Sequence, residues 1–112
     1  MLEVSLREVR NTAVVELEGR IDGDGVVMLS SALNDAFHAK HYTLILEMSG
    51  VNYINSTGLS IIAAIRTRCR EHGGDLRLVG LNPRVRRVFE IIGFDRYLVL
   101  TESLEDALKD FA

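Results

Sequence analysis

The chain has 112 residues, 47% hydrophobic and 26% charged, with a formal net charge of −3, which leaves room for one domain (1–112) around one core and argues against disorder. The acidic balance argues against a broad nucleic-acid surface, which needs a basic excess to neutralise phosphates. The longest apolar runs, such as GLSIIAAI, are too short to span a bilayer, Met1 leads into LEVSLREV without a signal-peptide pattern, and the single cysteine, Cys69, fits a reducing, cytoplasmic setting.

LEVSLREVRNTAVVELEG reads as two strands joined by a turn near Arg10-Asn11. In the second, Ala13, Val15 and Leu17 point one way and Glu16 and Glu18 the other, the period of two of a half-buried strand. Gly19 is expected to close this strand, and RIDGDG to form a polar turn. A helix is predicted from Gly25 to Ala39, with Asp24 as N-cap and Val26, Leu29, Leu33, Ala36 and Phe37 on its inner face. TLILEM (Thr43 to Met48) has no alternation, as in a central strand buried on both faces.

The segment from Thr57 to His72 predicts a second helix, with Gly58, Ile61, Ile62, Ile65 and Cys69 as its stripe and Gly73-Gly74 as its stop. DLRLVGL is a strand. NPRVRRVFEIIGF is a helix capped by Asn82, opened by Pro83 and ended by Gly93, with Val85, Val88, Phe89 and Ile92 inward. RYLVL reads as a last strand, and SLEDALKDFA as a terminal helix with Ser103 and Asp106 as a capping pair and Leu104, Ala107, Leu108 and Phe111 inward. The order β-β-α-β-α-β-α-β-α predicts an α/β fold: one mixed, mostly parallel sheet with an N-terminal antiparallel hairpin and about four packed helices.

Catalytic patterns fail on inspection. DGDG (Asp22 to Gly25) opens like a calcium loop, but Val26 and Leu33 occupy positions that need oxygen ligands. His38 and His41 lack further ligands at a recognisable spacing and read as surface residues; Cys69 reads as a core thiol. Arg84, Arg86 and Arg87 read as a solvated face, with Arg86 paired to Glu90. No phosphate loop, catalytic triad or dinucleotide fingerprint is present, so no enzyme activity, cofactor or metal is expected.

The segment YINSTGLSII remains. Asn55, Ser56 and Thr57 can each cap a helix, and one cap needs only one of them. The same place suits a switch, because a helix N-terminus accommodates a phosphate through free N–H groups and a positive partial charge. Phosphorylation of a serine there adds a charge of about −1.5 to −2 without breaking the fold. Asp22, if its turn lies nearby, would make that change repulsive for a partner, and Gly58 would open the backbone to a partner's approach. Ser60, Ala63, Ala64 and Thr67 form a small outer face fit for docking, although alanine is also simply a strong helix former.

With LEGRID, VNYINSTGLSII, GGDLRLVGLNPRVRRVFEIIGFDRYL and TESLEDAL in this order, nearly the whole chain resembles a STAS domain of the anti-anti-sigma-factor type, the bacterial anti-sigma factor antagonists. The family's switch pattern is Asp-Ser-(Ser or Thr)-Gly-Leu-Gly. Its phosphate acceptor falls on Ser56; Thr57, Gly58 and Leu59 match the next positions, and the aspartate of the family's Gly-x-(Leu or Ile)-Asp turn falls on Asp22. Asn55 stands in place of the usual aspartate and Ser60 in place of the second glycine. Asn55 can cap as aspartate does but offers a kinase no carboxylate.

The resemblance implies a protein that, unphosphorylated, binds an anti-sigma factor that is also a GHKL-type serine kinase, releasing a sigma factor. Phosphorylation at Ser56 ends binding, and a PP2C-type phosphatase resets it. The implied partner surface comprises Asp22, Asp24, Asn55, Ser56, Thr57, Gly58, Ser60, Ala63, Ala64 and Thr67, with no direct nucleic-acid or membrane contact. The alternative is a STAS module that does not switch, serving as a scaffold or binding a small ligand.

Overall fold

The structure is a computed structural model that describes residues 1–109 and 111. It opens with a hairpin of β1 (Leu2–Val9) and β2 (Thr12–Ile21), closed by Arg10 and Asn11 at φ 51° and 65°. Positive φ at both central residues matches the twist of the flanking strands. Then follow α1 (Asp24–His38), β3 (Thr43–Ile54), α2 (Ser56–Glu71), β4 (Asp75–Val79), α3 (Pro83–Ile91), a 3-10 turn (Phe94–Arg96), β5 (Val99–Thr101) and α4 (Leu104–Leu108). The sheet order is β1-β2-β3-β4-β5, with only the first pair antiparallel. The predicted α/β architecture is the observed one.

Side-chain alternation divides the core unequally. Ala13, Val15, Leu44, Leu46, Leu76 and Leu78 meet residues of α1, α2 and α3, including Leu29, Leu33, Ile62, Ile65, Val85 and Phe89. Val14, Ile45 and Val79 point to the other face and meet α4, through Ala107, Leu104 and Leu108, together with Val9 and Phe111. Burial of Leu44, Ile45 and Leu46 on both faces is what the uninterrupted apolar run predicts.

Several expectations are corrected. β2 does not close at Gly19: two register shifts against β3 carry it on to Ile21. Asp24 does not cap α1. Gly23 does, at φ 46°, and Asp24 is the first helical residue. β3 runs six residues beyond Met48, since the edge of β2 extends as far and pairs with it to Ile54. Ile92 is 45% exposed rather than inward, because the helix has ended at Ile91. Arg96, Tyr97 and Leu98 stand before β5 rather than in it. Lys109 ends α4 in extended geometry; the rest of the predicted terminal helix includes 110 and 112, which lie outside the described residues. The Asn82 cap, the Ser103 cap and the Arg86–Glu90 pair are all present, at 2.9, 3.1 and 3.3 Å.

Candidate functional site

β2 and β3 run parallel and stop together. Ile21 pairs with Ile54, and the Asn55 N–H donates to the Ile21 carbonyl at 3.0 Å. The loops that begin at Asp22 and Asn55 therefore leave the sheet side by side, and α1 and α2 start from the same edge.

At the start of α2, Asn55 holds extended backbone (φ −95°, ψ 174°) and its Oδ1 accepts the Gly58 N–H at 2.9 Å. The cap is thus supplied by Asn55 alone. Ser56 and Thr57, the first two helical residues, are exposed, and among the described residues nothing hydrogen-bonds to either hydroxyl. No acidic residue lies in this first turn, so the positive end of the helix meets no compensating charge on its own element. Gly58 does not open the backbone to a partner. It is buried, and a Cβ there would lie 2.6 Å from Ile21 Cγ2 and 3.1 Å from Ile54 Cγ1, so it seats the helix on its own core. The neighbouring Leu59 is also buried, a core position the predicted stripe omitted.

Asp22 lies on this edge, as Asn55 does, but it is not a free carboxylate. Arg20 donates to its Oδ2 from Nη2 at 2.9 Å and from Nε at 3.2 Å, and the same guanidinium sits 4.4 Å above the Tyr53 ring. Arg20 and Tyr53 are paired across β2 and β3. Neither was singled out from the sequence. The signal was there in LEGRID and VNYINS, where each stands two residues before the residue that matters, Asp22 and Asn55. Asp24 is exposed at the first turn of α1, where a carboxylate suits the dipole.

The outer side of α2 matches its expected character: Ser60, Ala64 and Thr67 are exposed and Ala63 is half-buried, with the Thr67 hydroxyl turned back onto the Ala63 carbonyl at 3.1 Å. α1, which touches α2, adds exposed Val27 (67%) and Met28. The edge therefore combines one polar cap, one hydroxyl-bearing turn and small or apolar helix surface.

The other candidates lie elsewhere. Cys69 is fully buried, and burial together with the Asp75 carboxylate pushes its thiol up to about 11, which suits a core group and not a nucleophile. His38 is exposed, while His41 is half-buried and 3.9 Å from Glu8. Among the described residues no three His, Cys, Asp or Glu side chains are grouped to hold a metal. No helix among them is long and apolar enough to cross a membrane.

The STAS domain family matches residues 3–107. RsfB of Mycobacterium tuberculosis, an anti-sigma-F factor antagonist, is 25% identical over 107 residues, covering 96% of this chain and 87% of its own length. A crystal structure of an anti-sigma factor antagonist from Mycobacterium paratuberculosis superposes with a TM-score of 0.90 at 24% identity, over 99% of this chain and 94% of that one. The Bacillus cell fate determinant SpoIIAA, in its phosphorylated form, does so with a TM-score of 0.73 at 20% identity, over 96% and 98%.

Proposed function

The chain belongs to the STAS domain family, and on that premise we propose that it is an anti-sigma factor antagonist switched by phosphorylation at Ser56. Unphosphorylated, it binds an anti-sigma factor of the GHKL serine-kinase type and so frees a sigma factor. The kinase transfers phosphate to Ser56, the complex parts, and a PP2C-type phosphatase returns the chain to its binding form. In this reading the chain is a substrate and binder, not a catalyst.

The observation that carries the reading is the division of labour at α2. Asn55 satisfies the helix, which leaves the Ser56 hydroxyl exposed and unbonded among the described residues. A phosphate there would gain the N-terminal dipole and leave the cap intact. The exposed face of Ser60, Ala63, Ala64 and Thr67 continues from the same turn, so the added charge would stand at the border of the partner surface. The relatives' designation as anti-sigma factor antagonists supports the partner class, and SpoIIAA carries a phosphate on the same fold.

The test is intact-mass spectrometry of the wild type and of Ser56→Ala after incubation with ATP and host lysate. One phosphate on the wild type and none on the variant is the expected result. The kinase isolated by this assay should then bind wild type and Ser56→Ala but not Ser56→Asp. No phosphate on either chain, with a control substrate labelled, would favour a scaffold that does not switch.

A further inference from the structure

The two edges of the sheet are built differently. β5 offers three residues, Val99–Thr101, too few to template another strand. β1 offers eight, with no proline, no lysine and an unbroken register from Leu2↔Gly19 to Val9↔Thr12. Of the usual means of blunting an edge, β1 lacks bulges, prolines and lysines and carries three other charged side chains, Glu3, Arg7 and Glu8. The Arg20 N–H donates to the Met1 carbonyl at 3.1 Å, so the odd-numbered residues of β1 turn their peptide groups towards β2. By the alternation of an antiparallel ladder, Leu2, Val4, Leu6 and Glu8 turn theirs outward. Val4 packs against the core that faces α1, and Leu6, two residues on and on the same face, is 47% exposed. Glu3, Ser5 and Arg7 are exposed and share the opposite face, Arg7 with its Nε 3.5 Å from the Glu16 carboxylate of β2.

We propose that β1 pairs antiparallel with β1 of a second copy about a two-fold axis at Ser5, joining two sheets into one of ten strands. This register sets the outward peptide groups of Val4 against those of Leu6 in the second copy, and the reverse. Their side chains then extend the apolar face across the junction. It also sets Glu3 opposite Arg7 twice, in the non-hydrogen-bonded positions where cross-strand side chains come closest. Moving the axis by one residue, to Val4 or to Leu6, keeps outward peptide groups paired but sets Ser5 opposite Glu3 or opposite Arg7, with no ion pair. Charge complementarity therefore selects both the partner, a second copy, and the register. Because the strands run antiparallel, the two edges carrying Asn55 and Ser56 fall at opposite ends of the joined sheet. Both stay open, and the dimer presents two independent contact patches. The pairing does not depend on whether Ser56 is phosphorylated.

The experiment is sedimentation equilibrium from micromolar to millimolar chain, on the wild type, Glu3→Arg, Arg7→Glu and an equimolar mixture of the two variants. The monomer mass is 12.5 kDa. The wild type should pass to twice that mass with rising concentration. Each variant faces like charges across the axis and should self-associate about tenfold more weakly or less. The mixture restores two complementary pairs per junction and should dimerise like the wild type, an outcome that misfolded variants could not produce. A wild type that stays monomeric throughout, a dimer indifferent to both reversals, or a mixture no better than its parts would each overturn the proposal.

Discussion

α1 and α2 start from the same edge of the sheet but are anchored by different physics. At α2 a side chain does the work: Asn55 leaves the strand in extended geometry and returns its Oδ1 to the Gly58 N–H. At α1 no side chain caps the helix. Gly23 turns the chain at φ 46°, and the first bonds are backbone ones, from the Gly25 N–H to the Asp22 carbonyl at 2.7 Å and from Val26 to Gly23 at 3.1 Å. Each helix also buries one glycine in its first turn, against the backbone of Arg20 for Gly25 and against the side chains of Ile21 and Ile54 for Gly58. The backbone-anchored start carries the exposed Asp24 carboxylate but no hydroxyl. The side-chain-anchored start has two hydroxyls unbonded among the described residues, Ser56 and Thr57, and under the proposed function that is the difference between a structural helix start and one that can carry a signal.

The largest effect should come from Gly25→Ala. The new methyl would fall inside contact distance of the Arg20 carbonyl, which is fixed in β2 and cannot turn aside. Alanine's helix preference returns about 1 kcal/mol over glycine, while overpacking against rigid backbone costs about 3 kcal/mol or more. Urea denaturation should show a net loss of about 2 to 3 kcal/mol; wild-type stability would mean that α1 is not held by this contact. Gly58→Ala meets side chains that can shift, at 2.6 and 3.1 Å, so a smaller net loss of about 1 kcal/mol is expected by the same measurement. Equal losses at the two glycines would erase the distinction between a backbone anchor and a side-chain one.

The same contrast explains what was legible beforehand. Local signals survived: the Arg10-Asn11 turn, the Asn82 and Ser103 caps, the doubly buried β3 and the small outer face of α2 are each written in a few neighbouring residues. The polar run before α2 marked a helix start, but Asn, Ser and Thr are interchangeable as caps on paper. Which of them serves is settled by where the backbone leaves the strand, and the strand's length depends on pairing with β2 as far as Ile54. Gly58 was misread because glycine gives no clue to which side it faces, although its place on the stripe with Ile62 pointed inward. Arg20 with Tyr53 was missed for a related reason. Their contact exists only through the parallel register, and that register shifts twice on the way. The pairing of Asp22 with Arg20, two residues back, was not foreseen, because a turn and not helical spacing brings the two together.

Asn55→Ala removes the side-chain cap, and about 1 kcal/mol of stability should go with it. Asn55→Asp keeps the acceptor and adds a charge that the dipole favours, so it should equal or exceed the wild type by about 0.3 to 1 kcal/mol at neutral pH. Thermal melts of the pair check both. If Asn55→Ala melted with the wild type, Ser56 or Thr57 would have taken over the cap, and the hydroxyl at Ser56 could no longer be counted as free.

The smallest effect on stability is expected at Ser56, the residue on which the proposed switch depends. With Asn55 capping, Ser56→Ala and Ser56→Asp should both lie within about 0.5 kcal/mol of the wild type in urea, the aspartate on the favourable side because it stands in the first turn. Binding of the kinase should separate the same two variants completely, with alanine retaining it and aspartate losing it. A stability-neutral change with an all-or-none effect on binding requires the charge to act at the surface and not through the fold. If Ser56→Asp instead lost several kcal/mol, its effect on binding would be a consequence of a damaged helix start, and α2 would differ from α1 only in the chemistry of its anchor.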